Sequence, residues 1–210
     1  MLKEHGERTG DGRWRSGAAD RNWQVISEIV APLLPNSGSV VEIASGTGQH
    51  IVRFAETYPH LQWQPTEPDK DLRQSIRKEI KLSSLGNISA PLNLDVSASV
   101  HDLPQTKLIL CVNMLHVSAY QSIQGLISCA SLALEQSGHL YIYGPFKHNG
   151  EFNSEGNLKF DQTLRANRPE WGLREITDVI DTAESFSFLL ERKVDMPANN
   201  TSLVFRLGRD

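Results

Sequence analysis

The sequence predicts an α/β fold: a mostly parallel sheet with helices on both faces, completed by an antiparallel pair of strands. Three observations lead there. From Ser39 to Gly144, short apolar runs of β type alternate with segments whose apolar residues recur every three or four positions. The run "KLILCVN" is almost wholly apolar, as a strand covered on both faces must be. Near the end, "SFSFLLERKVDM" and "TSLVFRLG" are separated only by "PANN", too short for a parallel crossover.

The polar, Gly-rich residues 1–17 read as a flexible arm, or one that orders on a ligand. A helix is expected from Asp20 to Leu34, with Trp23, Ile26, Val30 and Leu33 on one face and "PNSG" as its stop. "SVVEIA" is the first strand, followed by a helix from Gln49 to Tyr58 that presents Ile51, Phe54, Ala55 and Tyr58. "LQWQPTE" is the second strand, and Leu72, Ile76 and Ile80 mark the helix from Asp69 to Lys81. "ISAPLNLD" is the third strand, and Pro91, which cannot donate to a ladder, places it at an edge or a bulge. After "KLILCVN", a helix from Tyr120 to Glu135 shows Tyr120, Ile123, Ile127, Ala130 and Leu134, and "HLYIYG" is the fifth strand. A last helix near Arg174 to Ala183 precedes the hairpin. Five βα units and an antiparallel hairpin, with the third strand at an edge, resemble the Rossmann-like, seven-stranded class I methyltransferase fold.

The 210 residues suit a single domain over 18–210 behind the arm. With 39% hydrophobic and 22% charged residues the balance is globular, and a net charge of −4 argues against nucleic-acid binding. The N-terminus lacks the apolar core of a signal peptide, and no apolar run approaches the ~20 residues of a membrane span. Cys111 and Cys129 are too few for a disulfide framework and lack metal-ligand spacing, so both read as small buried hydrophobes in a reduced, cytoplasmic compartment. No metal is expected.

Three readings compete for the turn in "EIASGTGQH". A dinucleotide site requires a third glycine, and Ile51 stands there. A phosphate-binding P-loop requires Lys-Ser/Thr after the second glycine, and Gln49-His50 is not that. S-adenosylmethionine carries no phosphate and needs only close backbone approach and helix-start amides. Its E/D-x-x-x-G-x-G fingerprint is met by Glu42, Gly46 and Gly48, which favours this third reading. Ala44 and Gln49, within the same stretch, join the expected cofactor site. Glu67 ends the second strand about 20 residues past the turn, where a carboxylate bonds ribose hydroxyls in such folds; a solvated acid is the alternative. In this fold an acid at the position of Asp95 resembles the one that accepts from the adenine amino group, though a plain turn aspartate reads as well.

A more specific resemblance rests on "AADRN", "EIASGTGQH", "WQPTEPD", "CVNMLHVS", "LYIYGPF", "PEWGLRE" and "MPANN", which occur in this order from Ala18 onward. Together they resemble the domain of unknown function 938 family, small methyltransferase-like proteins. The resemblance implies a single-domain S-adenosylmethionine-dependent methyltransferase and supplies no substrate.

Ligands in open α/β sheets bind beyond the carboxyl ends of the strands. Asn113 ends the fourth strand and is expected at the cofactor; His116, just after it, is the candidate general base. The segment at about 145–171 is far longer than an ordinary connection and reads as a lid. Phe146, Asp161, Arg165 and Trp171 on it, with Arg21 and Asn22 of the first helix, are the candidate substrate residues. Against this stand a packing role for Trp171 and a surface ion pair for Asp161 and Arg165, four apart. The sequence is read as a methyltransferase acting on a small molecule. A non-catalytic protein of the same fold is the alternative, and a nucleotide-dependent oxidoreductase is disfavoured by Ile51.

Overall fold

The computed structural model describes residues 6–98 and 103–208; the first five residues of the expected arm lie outside them. The chain divides into two compact units, one of residues up to Asp95 with Thr106–Leu110, the other of Val96–Gln105 with Cys111 onward.

The first unit begins with a small hairpin, β1 (Glu7–Arg8) against β2 (Trp14–Arg15). Helix α1 (Gly17–Val30) follows, then β3 (Ser39–Ile43), α2 (Gln49–Thr57), β4 (Gln62–Pro65), α3 (Lys70–Ser83) and most of β5 (Thr106–Val112). The strand order is β5-β3-β4, with β3 and β4 parallel. Helix α3 starts where Asp69 accepts hydrogen bonds from the amides of Asp71 and Leu72, both at 2.8 Å. Trp23, Phe54 and Trp63 form a ring ladder: Trp23 meets Phe54 edge-on at 4.6 Å and Phe54 stacks on Trp63 at 5.3 Å. Ile26, Ile51, Leu72 and Ile76 close the core around it.

The hairpin is fastened to the helices. The Trp14 amide donates to Ser75 Oγ at 2.8 Å, Arg13 pairs with Glu79 at 3.0 Å, and the Ser16 amide donates to Gln49 Oε1 at 2.6 Å. Ser75 and Glu79 are therefore buried on α3 beside its apolar stripe.

In the second unit come α4 (Ser122–Ala133), β6 (Leu134–Gly144), β7 (Phe146–His148), β8 (Glu151–Phe152), α5 (Glu155–Asn167), β9 (Arg174–Glu175), α6 (Ile176–Ser185), β10 (Phe188–Met196) and β11 (Asn200–Leu207). The order is β10-β11-β6-β5, and β11 runs antiparallel to both β10 and β6. The expected lid segment holds β7, β8 and the helix α5, and β9, just beyond it, completes a three-stranded sheet of order β8-β7-β9. Leu164, Trp171 and Leu173 form a small core there, with Val117 and Phe152 packed against it.

Two corrections follow. Among the described residues the main sheet is mixed and has six strands where seven were expected. The expected third strand survives only as parallel bridges of Ile88 to Trp63 and Leu92 to Thr66, because Pro91 interrupts the ladder between them. Tyr120 was expected on the buried face of α4, but the helix starts at Ser122 and Tyr120 is 54% exposed.

Candidate active site

In the first unit, β3 runs out at Ile43 and the chain turns through three residues with positive φ: Ala44 at 54°, Gly46 at 55° and Gly48 at 84°. An alanine in that region is strained, and such strain gathers at functional turns. Thr66 holds the turn's entry, its hydroxyl donating to the Glu42 carbonyl at 3.1 Å while the Ser45 amide donates to the Thr66 carbonyl at 2.7 Å. The two glycines meet different surroundings. A Cβ on Gly46 would find only the Ala44 carbonyl, at 4.0 Å, whereas one on Gly48 would press on Ile76 of α3 at 3.2 Å.

Two buried carboxylates flank the turn. Glu67 is 5% exposed and accepts from the Gly46 amide at 2.9 Å and the Asp69 amide at 3.0 Å, so it ties the glycine turn to the start of α3. Burial raises its pKa against the pull of those amides. Glu42 is 2% exposed, and its Oε2 is buried with no hydrogen-bond partner. Burial pushes Glu42 up to about 8, and the nearby charge of Glu67 adds to the effect. A buried acceptor left open beside an open glycine face suits a ligand that brings hydrogen-bond donors.

The side chain of Gln49 is engaged elsewhere. It accepts from the Ser16 amide and the Thr47 hydroxyl and donates to the Ser16 carbonyl and to Asp20. Asn22 Oδ1 accepts from His50 Nε2 at 2.9 Å, both side chains being buried. Burial holds His50 down to about 4. Arg21 and Asp95 are exposed. Thr66, Ser16 and Asp20 were missed by sequence reasoning; only the shared occurrence of "AADRN" and "EIASGTGQH" hinted that the two stretches meet.

In the second unit, Asn113 follows β5 with φ at 59°, its amide donating to the Tyr143 carbonyl at 2.8 Å. A short turn of helix, Leu115–Val117, carries His116, which is 7% exposed. His116 Nδ1 and Asn113 Oδ1 converge over Gly144, lying 3.5 and 3.7 Å from where its Cβ would stand. Phe160 of α5 meets the His116 ring edge-on at 5.4 Å. Burial, with the Arg174 charge, holds His116 down to about 4, so its imidazole is neutral at pH 7.

The lid residues have internal partners. Asp161 Oδ2 pairs with Arg165 at 2.8 Å, and its Oδ1 accepts from the Leu173 amide at 2.7 Å. Trp171 packs in the small core, with Arg168 over its ring at 5.2 Å, and Phe146 is 2% exposed. Arg174 grips the His116 turn: its Nε donates to the Leu115 carbonyl at 2.9 Å and its Nη2 to the carbonyls of Ser118 and Glu170.

A family model described as "Protein of unknown function (DUF938)" matches residues 13–207. The chain belongs to the DUF938 family. The DUF938 chain is also similar to an O-methyltransferase family protein from Burkholderia thailandensis, with a TM-score of 0.75, 14% identity, and coverage of 90% of this chain and 58% of that one. It is similar to a putative O-methyltransferase from Nostoc punctiforme PCC 73102, with a TM-score of 0.77, 13% identity and coverage of 90% and 56%. A third likeness is to PigF with SAH, with a TM-score of 0.70, 16% identity and coverage of 90% and 58%. The DUF938 chain thus spans under two thirds of the length of these proteins, and at such identity the likeness establishes an α/β fold resembling class I methyltransferases. No helix among the described residues is long and apolar enough to cross a membrane.

Proposed function

We propose that this DUF938 chain is a cytoplasmic S-adenosylmethionine-dependent methyltransferase of small molecules, residues 18–210 acting as one methyltransferase-like domain with a lid at 145–171. The observation that carries the reading is the turn itself: Gly46 presents an open backbone face, and beside it the buried Glu42 Oε2 lacks a donor. The ammonium and ribose hydroxyls of S-adenosylmethionine are donors, so the residues fit the group. Glu42, Ala44, Gly46 and Gly48 would take its methionyl part, with the Gln49 backbone at the helix start; Glu67 would take the ribose and Asp95 the adenine, and Asn113 completes the set. Bound there, it would supply an electrophilic methyl group.

The chain's own residues would orient the acceptor and exclude water. Asn113 Oδ1 and the neutral His116 Nδ1 both lie over Gly144, and an acceptor hydroxyl beside them would be oriented by Asn113 Oδ1 and give its proton to the imidazole. As a base His116 works in its neutral form, so turnover would hold from pH 8 to 5 and fall as pH approaches 4. Phe146, Phe160 and Trp171 would form the apolar walls, with Arg21, Asn22, Asp161 and Arg165 as polar candidates at the acceptor. Similarity to two structures named as O-methyltransferases, and to PigF with SAH, supports the reading.

Calorimetry with S-adenosylmethionine, its demethylated product and NAD tests the cofactor. Binding of both adenosyl compounds, and loss of it in Gly46→Val with the fold retained, is expected; NAD binding alone would sink the idea. His116→Ala then separates an enzyme from a non-catalytic binding protein. Turnover of labelled cofactor in a metabolite extract should drop while cofactor affinity holds.

A further inference from the structure

The hairpin of β7 and β8 turns on Asn149 and Gly150, both exposed and both left-handed, with φ at 54° and 79°. Asn-Gly is the pair that such a two-residue turn prefers, so backbone conformation alone accounts for its presence. It does not account for Glu175. That carboxylate accepts from both turn amides, Asn149 at 2.7 Å and Gly150 at 2.8 Å. Glu175 also stands at the N-cap of α6, where an acid ordinarily accepts from its own helix, yet its side chain makes no such bond. The parallel pairing of Lys147 with Glu175 across β7 and β9 brings the carboxylate to the turn instead. An acid is thus spent on two amides of a surface turn that water could otherwise satisfy.

Those amides carry chemistry. In an Asn-Gly pair the glycine nitrogen can attack the asparagine Cγ, and the missing Cβ leaves its approach open. The Gly150 N–H must first give up its proton. The new N–Cγ bond then forms as the Cγ–Nδ2 bond breaks, and ammonia leaves with that proton. Water opens the resulting cyclic imide to an aspartate or an isoaspartate. The bond from Gly150 to Glu175 opposes the first step. It holds the proton in a charge-assisted bond, and a nitrogen anion there would face a carboxylate.

We propose that Asn149 is a deamidation site and that Glu175 holds it in check. The product adds a negative charge at the turn beside Glu175, and like charges at that range repel. An isoaspartate also lengthens the backbone between His148 and Glu151, whose pairing closes the hairpin. A single conversion therefore loosens the clamp that had prevented it, at the tip of the β8-β7-β9 sheet.

The test is ageing of the full chain in mildly alkaline buffer, followed by tryptic digestion and mass spectrometry. Cleavage after Lys147 and Lys159 releases a peptide that carries Asn149 together with Asn153 and Asn157, so fragment masses assign the site and supply internal controls. Asn149 should convert about tenfold faster in folded Glu175→Ala than in the parent, the scale of one charge-assisted hydrogen bond. Glu175→Gln keeps one acceptor and loses the charge, so its rate should fall between the two; it also carries the comparison if the alanine variant does not fold. In urea, where no clamp exists, parent and variants should convert alike. Equal rates in the folded parent and a folded Glu175 variant would overturn the guard. Conversion of Asn153 or Asn157 ahead of Asn149, or an Asn149 that stays intact in urea, would overturn the site.

Discussion

The glycine turn after β3 and the His116 turn after β5 are fastened in opposite senses. At the first, carboxylates hold the chain by accepting: Glu67 takes the amides of Gly46 and Asp69. At the second, a guanidinium holds the chain by donating: Arg174 gives to the carbonyls of Leu115, Ser118 and Glu170. Each device leaves a residue of its own sign. The glycine turn keeps an unpartnered acceptor, Glu42 Oε2, and the His116 turn keeps a cation bonded to carbonyls. The difference teaches that the group used to pin a loop also selects what the loop can receive. A turn pinned by an acid, with a second acid left open, favours a ligand rich in donors, whereas the arginine that pins the other turn spends its donors on the chain itself.

The largest expected effect breaks the second turn. Arg174→Met removes the donor from three carbonyls and should cost about 3–5 kcal/mol of stability, read as a lower midpoint in urea. A loss under about 1 kcal/mol would mean that the turn holds without the guanidinium.

Next come the two glycines. Gly48→Ala combines a left-handed φ with a contact on Ile76 and should cost about 2–4 kcal/mol. Gly46→Ala meets open space, so only the backbone penalty of about 1–2 kcal/mol applies. Equal midpoints for the two variants would deny that one glycine serves packing and the other an open face.

A pH series then probes the buried groups. His50 and His116 titrate near 4 in the folded chain, below the ordinary 6.5, so the unfolded chain binds more protons between those values. Stability is full above pH 6.5 and falls as pH drops toward 4, by about 1–2 kcal/mol per histidine at pH 5. Glu42, raised to about 8, acts from the other side: stability falls as pH rises from about 4.5 to 8. Urea midpoints at pH 5, 6.5 and 8.5 should therefore peak in the middle, and His50→Gln should flatten the acid limb.

The smallest effect separates two jobs of Glu67. The sequence alone suggests that Glu67→Gln leaves stability without ligand unchanged. Because the carboxylate is buried and accepts two amides, the variant should instead lose about 1–2 kcal/mol on its own. An unchanged midpoint would return Glu67 to a purely ligand-facing role.

Much of the fold was legible because its signals are local. The alternation of periodicities marked the helices to within a few residues, "PANN" marked the antiparallel pair, and Pro91 marked the interrupted edge. The Glu42-Gly46-Gly48 spacing marked a turn whose glycines are indeed both left-handed. What stayed hidden depends on distant partners. Nothing near Trp14 announces Ser75, and nothing in "PEWGLRE" announces that Arg174 answers carbonyls 56 and 59 residues away. Tyr120 fitted the apolar stripe of α4 by spacing, but spacing does not say where the helix begins.

The N-terminal hairpin has a consequence for the order of folding. Its anchors, Trp14 to Ser75 and Arg13 to Glu79, close loops of 61 and 66 residues. Such contacts are made only after the intervening chain is placed, since loop-closure entropy opposes them until then. During synthesis the hairpin emerges before α3 and must therefore wait, undocked, until α3 has formed and presents its polar strip. Pulse-labelled exchange during refolding should find the amide of Trp14 among the last to gain protection, after those of β3 and β4.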